Sequence, residues 1–143
     1  MGLLSKLFSD ARNAMNSYVG DDTFLNGVAS AAANVTAADG VVEDSEVDAA
    51  IKGMQANAIV SNSFNSTQIS DAYGLALIRA KTRAGRMQNK RNIEALVGRE
   101  ATTRQDVFLI AADVAGEEIG PQEMAVLNDI AGLLNLDAKK LLG

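Results

Sequence analysis

Apolar residues return along this chain at spacings of three and four, the period of a helix with one buried face. Leu4, Leu7, Phe8, Ala11 and Met15 make a first stripe; Leu25, Val28, Ala32 and Val35 make a second. Val47, Ala50, Ile51 and Met54 make a third, with Asp44 or Ser45 as its cap. The Ser- and Asn-rich residues 57–65 read as a loop. Ser66 or Thr67 then opens a long helix carrying Ile69, Ala72, Tyr73, Ala76, Ala80, Ala84 and Met87 on one face, with Gly85 as its end or a bend. Ile93, Leu96 and Val97 form a short helix closed by Gly98. Thr102 or Thr103 starts another, with Val107, Phe108, Ala111 and Val114 inside. Pro121 suits the first turn of a helix that runs through Met124, Leu127, Ala131 and Leu134, and Asp137 caps a last turn. β-Branched alternation is nearly absent. The pattern predicts an all-α fold, a single compact bundle of about seven helices in one domain over residues 1–143, with residues 1–20 as an amphipathic N-terminal helix.

Two stretches repeat each other. Asp39-Gly40-Val41-Val42-Glu43-Asp44-Ser45-Glu46 ends one helix and opens the next, as Gly116-Glu117-Glu118-Ile119-Gly120-Pro121-Gln122-Glu123 does later. Aligning Glu46 with Glu123 sets Val42 on Ile119, Val47 on Met124, Ala50 on Leu127 and Met54 on Ala131. The bundle is therefore expected to contain two related helix–acidic loop–helix hairpins, with the two loops near each other.

Composition narrows the chemistry. The chain has 143 residues, 48% of them apolar, but much of that is alanine, with 4 Phe, 2 Tyr and no Trp. Aromatic stacking sites for sugars or bases are poorly supplied. With no Cys and no His, disulfides, iron–sulfur clusters, thiolate or imidazole zinc sites and His-dependent triads are excluded. Any metal would be held by oxygen, which favours Ca²⁺, Mg²⁺ or Mn²⁺. No stretch reaches the length of a membrane span, and the chain reads as cytoplasmic. The net charge of −5 is unevenly spread. Residues 79–104 carry 8 basic and 2 acidic side chains, and acidic segments lie on both sides.

The paired loops offer candidate metal ligands: Asp39, Glu43, Glu46, Glu117 and Glu123, with Asp113 one helical turn before the second loop. Carboxylates without His form the ligand set of a hard divalent cation. The spacing is not that of an EF-hand. Glu46 and Glu123 also stand near the third position of their helices, where Glu completes a capping box.

Arg79, Arg83, Arg86 and Lys90 follow at spacings of four, three and four, one face of a helix. That stripe could hold phosphate, anionic lipid or an acidic partner, although a plain solvated face explains it better. No aromatic residues interleave with it, so sequence-specific or stacked nucleic acid is not expected. The N-terminal stripe of Leu3, Leu4, Leu7 and Phe8 could rest on a membrane surface, although docking on the core suits it better.

Around the acidic loops the chain resembles the tellurite-resistance TerB family. The resemblance rests on Ala37-Ala38-Asp39-Gly40 followed by Glu46, on Glu118-Ile119-Gly120-Pro121-Gln122-Glu123, and on the run Ala131-Gly132-Leu133-Leu134-Asn135-Leu136-Asp137. It implies a compact helical bundle and a non-enzymatic stress-response role. It further implies a divalent cation at an acidic patch, carried onto Asp39, Glu46 and Glu123, and association with other tellurite-resistance proteins, some membrane-embedded. One position departs: Gly116 stands where the second motif would repeat Asp39. An adaptor that needs no metal, using the basic face or the N-terminal helix against a partner or an anionic membrane, is the alternative.

Overall fold

A computed structural model describes residues 2–8 and 18–143. Its eight helices over residues 22–142 are α1 (Asp22–Thr36), α2 (Asp44–Ala56), α3 (Ala58–Ser61), α4 (Ser66–Ala80), α5 (Arg83–Glu94), α6 (Ala101–Ala115), α7 (Pro121–Leu133) and α8 (Ala138–Leu142). Residues 3–8 are helical as well, and no strand occurs among the described residues. The all-α bundle expected from the periodicity is present.

The helix count exceeds seven for local reasons. Within residues 57–65, Asn57 turns its Oδ1 onto the N–H groups of Ile59 and Val60, at 3.0 and 3.4 Å, and nucleates the single turn α3. The long helix expected from Ser66 onward breaks at Lys81-Thr82. There Thr82 becomes a new cap, its hydroxyl accepting from the Gly85 N–H at 3.0 Å. The cap of α4 is Asn65, not Ser66 or Thr67. Asn65 Oδ1 accepts from Gln68 N–H at 2.8 Å and Gln68 Oε1 accepts from Asn65 N–H at 2.9 Å, a reciprocal capping box. Pro121 opens α7 and Asp137 caps α8, as the sequence predicts.

α1 is the axis of the molecule. It packs most extensively against α4, α5 and α6, and also touches α2 and α7. The sequence predicts one apolar stripe on it, yet Ser30, Asn34 and Thr36 are buried along with Phe24, Val28 and its alanines. Small side chains explain the difference, because they let neighbours approach from every side. At Gly27 the fit is closest: a Cβ there would overlap the Leu96 side chain.

The repeat is visible in burial. Ala50 and Met54 of α2 are buried, as are Leu127 and Ala131, their counterparts in α7. Val47 and Met124 are both half-buried. Each loop turns through a glycine at positive φ, Gly40 at 82° and Gly116 at 87°, a conformation that glycine adopts without penalty.

Leu3, Leu4, Leu7 and Phe8 do not join the core. They are 75, 65, 54 and 63% exposed, against the expectation that this stripe docks on the body. Ala11 and Met15, the rest of that stripe, lie outside the described residues.

Candidate functional site

Asp39, Glu43 and Glu46 serve their own loop. Asp39 is exposed, and its Oδ1 accepts from the Val41 N–H at 3.0 Å, stabilising the turn. Glu46 folds back so that Oε1 accepts from the Glu43 N–H at 3.4 Å across the start of α2. Glu43 is the N-cap itself. Glu123, third in α7, curls its carboxylate over Gly120, where a Cβ would meet it. The capping role is therefore expressed by Glu46, while Glu123 lies over Gly120 without a hydrogen bond to the cap.

Asp113 and Glu117 are exposed beside Gly116. With Ile119, Leu141 and Leu142 they line a small cleft of about 290 Å³. The first loop lines other clefts, on the side of α5. Among the described residues no three Asp or Glu are gathered as a metal site would gather them. Of the candidate ligands Asp39, Glu43, Glu46, Asp113, Glu117 and Glu123, the neighbours Glu43 and Glu46 meet at the start of α2.

The basic stripe is split by the break at Lys81-Thr82. Arg79 ends α4 and turns inward: its Nε donates to Asn89 Oδ1 at 2.7 Å and Nη2 to Ser30 Oγ at 3.4 Å. Asn89 is fully buried and donates to Asn34 Oδ1 at 2.9 Å and to the Ala76 carbonyl at 3.0 Å. Arg79, half-buried, is therefore corrected from a surface ligand to a partner of the core's polar groups. It completes an amide network between α1, α4 and α5 in which each buried polar atom has a partner. Sequence reading missed this network. Its signal was Asn89, placed between Arg86 and Ile93 on a helix otherwise read as a charged face.

Arg83, Arg86 and Lys90 remain together on α5, and all three face a cleft of about 470 Å³. Its apolar lining comes from Ala37 and Ala38 at the end of the first hairpin helix, Met87 and Ile93 of α5, and Val126, Ile130 and Leu133 of α7. Arg83 is exposed. Lys90 pairs with Asp129 of α7 at 3.7 Å, Lys90 half-buried and Asp129 exposed. Arg86 donates through Nη1 to the Ala80 carbonyl at 3.0 Å, closing the end of α4.

A second cleft of about 450 Å³ adjoins the first. The two share Ala37, Gly40 and Arg86, and the second continues to Val42, Leu77, Ile78 and Lys81. Val42, Ile78 and Met87 are 45, 62 and 49% exposed, so the apolar surface on both sides of Arg86 is open. The cleft surface thus joins two features the sequence shows separately, the basic run and the first acidic loop. Only the tertiary fold brings Ala37 to Arg86.

The remaining cluster with perturbed chemistry lies elsewhere. Arg99 clamps Asp21 through two bonds of 2.7 and 3.2 Å, which holds the Asp21 carboxyl below its ordinary pKa. The Tyr18 hydroxyl donates to Asp106 Oδ2 at 3.0 Å and lies 3.1 Å from Thr103 Oγ1, while its ring stacks on Phe24 at 3.7 Å. Burial raises the pKa of both Asp106 and Tyr18. These contacts fasten the entry of α1 to α6.

No family model, no curated protein and no solved structure matches this chain. No described helix is long and apolar enough to cross a membrane.

Proposed function

We propose that this chain is a non-enzymatic binding module whose working surface is the cleft bounded by the end of α1, α5 and α7, and that it takes an anionic partner. The observation that carries the reading is the convergence of Arg83, Arg86 and Lys90 on one apolar-floored cleft. Cations beside a low-dielectric wall attract a negative group more strongly than cations on an open face. The lining carries one carboxylate, Asp129, already beside Lys90, and no hydroxyl, which suits recognition better than acid–base or nucleophilic chemistry. Within the tellurite-resistance resemblance, this makes the chain the adaptor of a larger assembly, and docking requires no divalent cation.

The test is a titration of isotope-labelled protein with poly-glutamate at low salt. Amide shifts should concentrate on α5 and the first loop, and weaken as salt screens the cations. The double variant Arg83→Gln, Arg86→Gln should lose most of the response while keeping its fold. Unmodified protein that shows no shift at low salt would leave these cations a solvated face and end the reading.

A further inference from the structure

The two clefts that meet at Arg86 have a shape that selects among anionic partners. Each has apolar walls, and one cation stands at their shared border. On Arg86 the Nη1 group is held by the Ala80 carbonyl, which fixes the guanidinium in place. The other guanidinium nitrogens have no protein partner among the described residues. Lys81 lies at one end of this surface, Arg83 and Lys90 at the other.

Resting on the reading above, we propose that the occupant is an acidic amphipathic helix of another protein. It sets one apolar side chain into each cleft and a carboxylate between them on Arg86. Residues i and i+7 of a helix lie on one face about two turns apart, and i+3 or i+4 falls between them, which reproduces the apolar–cationic–apolar order. Other modes of peptide capture fit poorly. Adding a strand needs a free sheet edge, and no strand exists among the described residues. Polyproline recognition needs an aromatic-lined groove, and neither cleft has an aromatic residue. An anionic bilayer would satisfy the cations, but Ala37, Val126, Ile130 and Leu133 line a concavity that a flat lipid surface would leave unfilled.

The experiment uses the full chain and fluorescent 14-residue peptides designed as helices. One peptide has Leu at i and i+7 with Glu at i+3 and i+4; a second has Lys for Glu; a third has Ser for Leu. Vesicles with acidic and with neutral headgroups are assayed alongside. The acidic amphipathic peptide should bind, and both altered peptides should bind at least ~10-fold more weakly, since a desolvated charge pair or two buried anchors is each worth that much. Arg86→Gln should lower affinity about 10-fold. Ile78→Ser and Met87→Ser should each lower it about 3–5-fold. Both residues are exposed, and thermal melts verify the fold. Equal binding of the Leu and Ser peptides would overturn apolar anchoring while leaving the anion-binding module intact. Tight, Arg86-dependent binding to acidic vesicles without peptide binding would transfer the site to lipid and overturn the helix. Failure of every peptide and of poly-glutamate would sink the module itself.

Discussion

Helix α5 presents two faces that both carry polar groups and serve opposite purposes. Inward, Gly85 meets the α4 backbone at Arg79, and Asn89 is fully buried within its amide network with α1 and α4. Outward, Arg83, Arg86, Met87 and Lys90 face the clefts. The polar groups of the inner face are satisfied by protein, so disturbing them should unfold the molecule. Those of the outer face have solvent as an alternative, so disturbing them should change only what binds. The same division runs through the basic segment. Arg79, Arg99 and Arg104 are committed to internal partners, Arg104 donating to the Arg99 and Leu134 carbonyls at 3.0 and 2.9 Å. The outward cations of α5 have no such bonds, apart from the single tie at Arg86 and the loose pair at Lys90.

The largest effect is expected at Gly85. In most helix interiors Gly→Ala stabilises by about 1 kcal/mol. Here a Cβ would overlap the Arg79 carbonyl, which is backbone and cannot swing aside. Gly85→Ala should therefore destabilise by about 3 kcal/mol in denaturant melts. Gly53→Ala on α2, with open space around it, should stabilise by up to about 1 kcal/mol. Equal behaviour of the two variants would show that α4 and α5 can separate freely.

Asn89→Ala comes next. It strips the partners of Arg79 Nε and of the Asn34 carbonyl oxygen, and should lower stability by about 2 kcal/mol. Native-like stability in this variant would mean that water replaces the lost amide, and the inner face would lose its special standing.

Two ion pairs then separate held from loose cations. Asp21→Asn keeps a side chain able to cap α1 and removes only the bidentate bond to Arg99. It should cost up to about 1 kcal/mol at neutral pH. Because the folded Asp21 pKa is lowered, its contribution is present above the unfolded carboxylate value and is lost as pH falls through the folded one. The difference between the two proteins should therefore shrink in acid. Asp106 runs the other way. Its raised folded pKa disfavours ionisation, so stability is lost as pH rises from the ordinary carboxylate value through the folded one. Lys90→Gln, breaking the 3.7 Å pair with Asp129, should change stability by less than about 0.5 kcal/mol.

Glu46→Gln should have the smallest effect, below about 0.5 kcal/mol, because Gln completes the same capping contact with the Glu43 N–H. The value should be identical in chelator and in millimolar Ca²⁺. A cation-dependent rise in melting temperature of the unmodified protein, absent in this variant, would restore the carboxylate patch as a site.

Much of the fold was legible because alanine-rich stripes, Pro121 and Asp137 are local signals that tertiary contacts left in force. The break at Lys81-Thr82 was not. Apolar spacing continues from Ala80 to Ala84 and Met87 as though one helix ran through, and only the contact of Gly85 with the Arg79 backbone distinguishes a corner from a bend. The error assigned Arg79 to the open basic face, whereas it is half-buried and bonded inward to Asn89 and Ser30. The acidic residues were legible as loop markers. Their spacing is equally suited to ligation and to capping, and it carries no information about where two loops lie in space. The cleft had half a signal: the outward cations were visible, while its apolar floor comes from segments some fifty residues before and forty residues after them.

The burial of α1 on all sides has a consequence for biosynthesis. This helix occupies residues 22–36, yet the helices that cover it most, α4, α5 and α6, end at residues 80, 94 and 115. On a ribosome this apolar segment emerges before α4, α5 and α6 and stays without its lasting partners until they have been made. At synthesis rates of about 5–20 residues per second, that interval lasts several seconds. An alanine-rich segment of 15 residues gains little helix on its own in water. The nascent chain therefore carries its future axis as a sticky, unpaired stretch, and the yield of native protein should depend on how well co-translational chaperones shield it until α4, α5 and α6 follow.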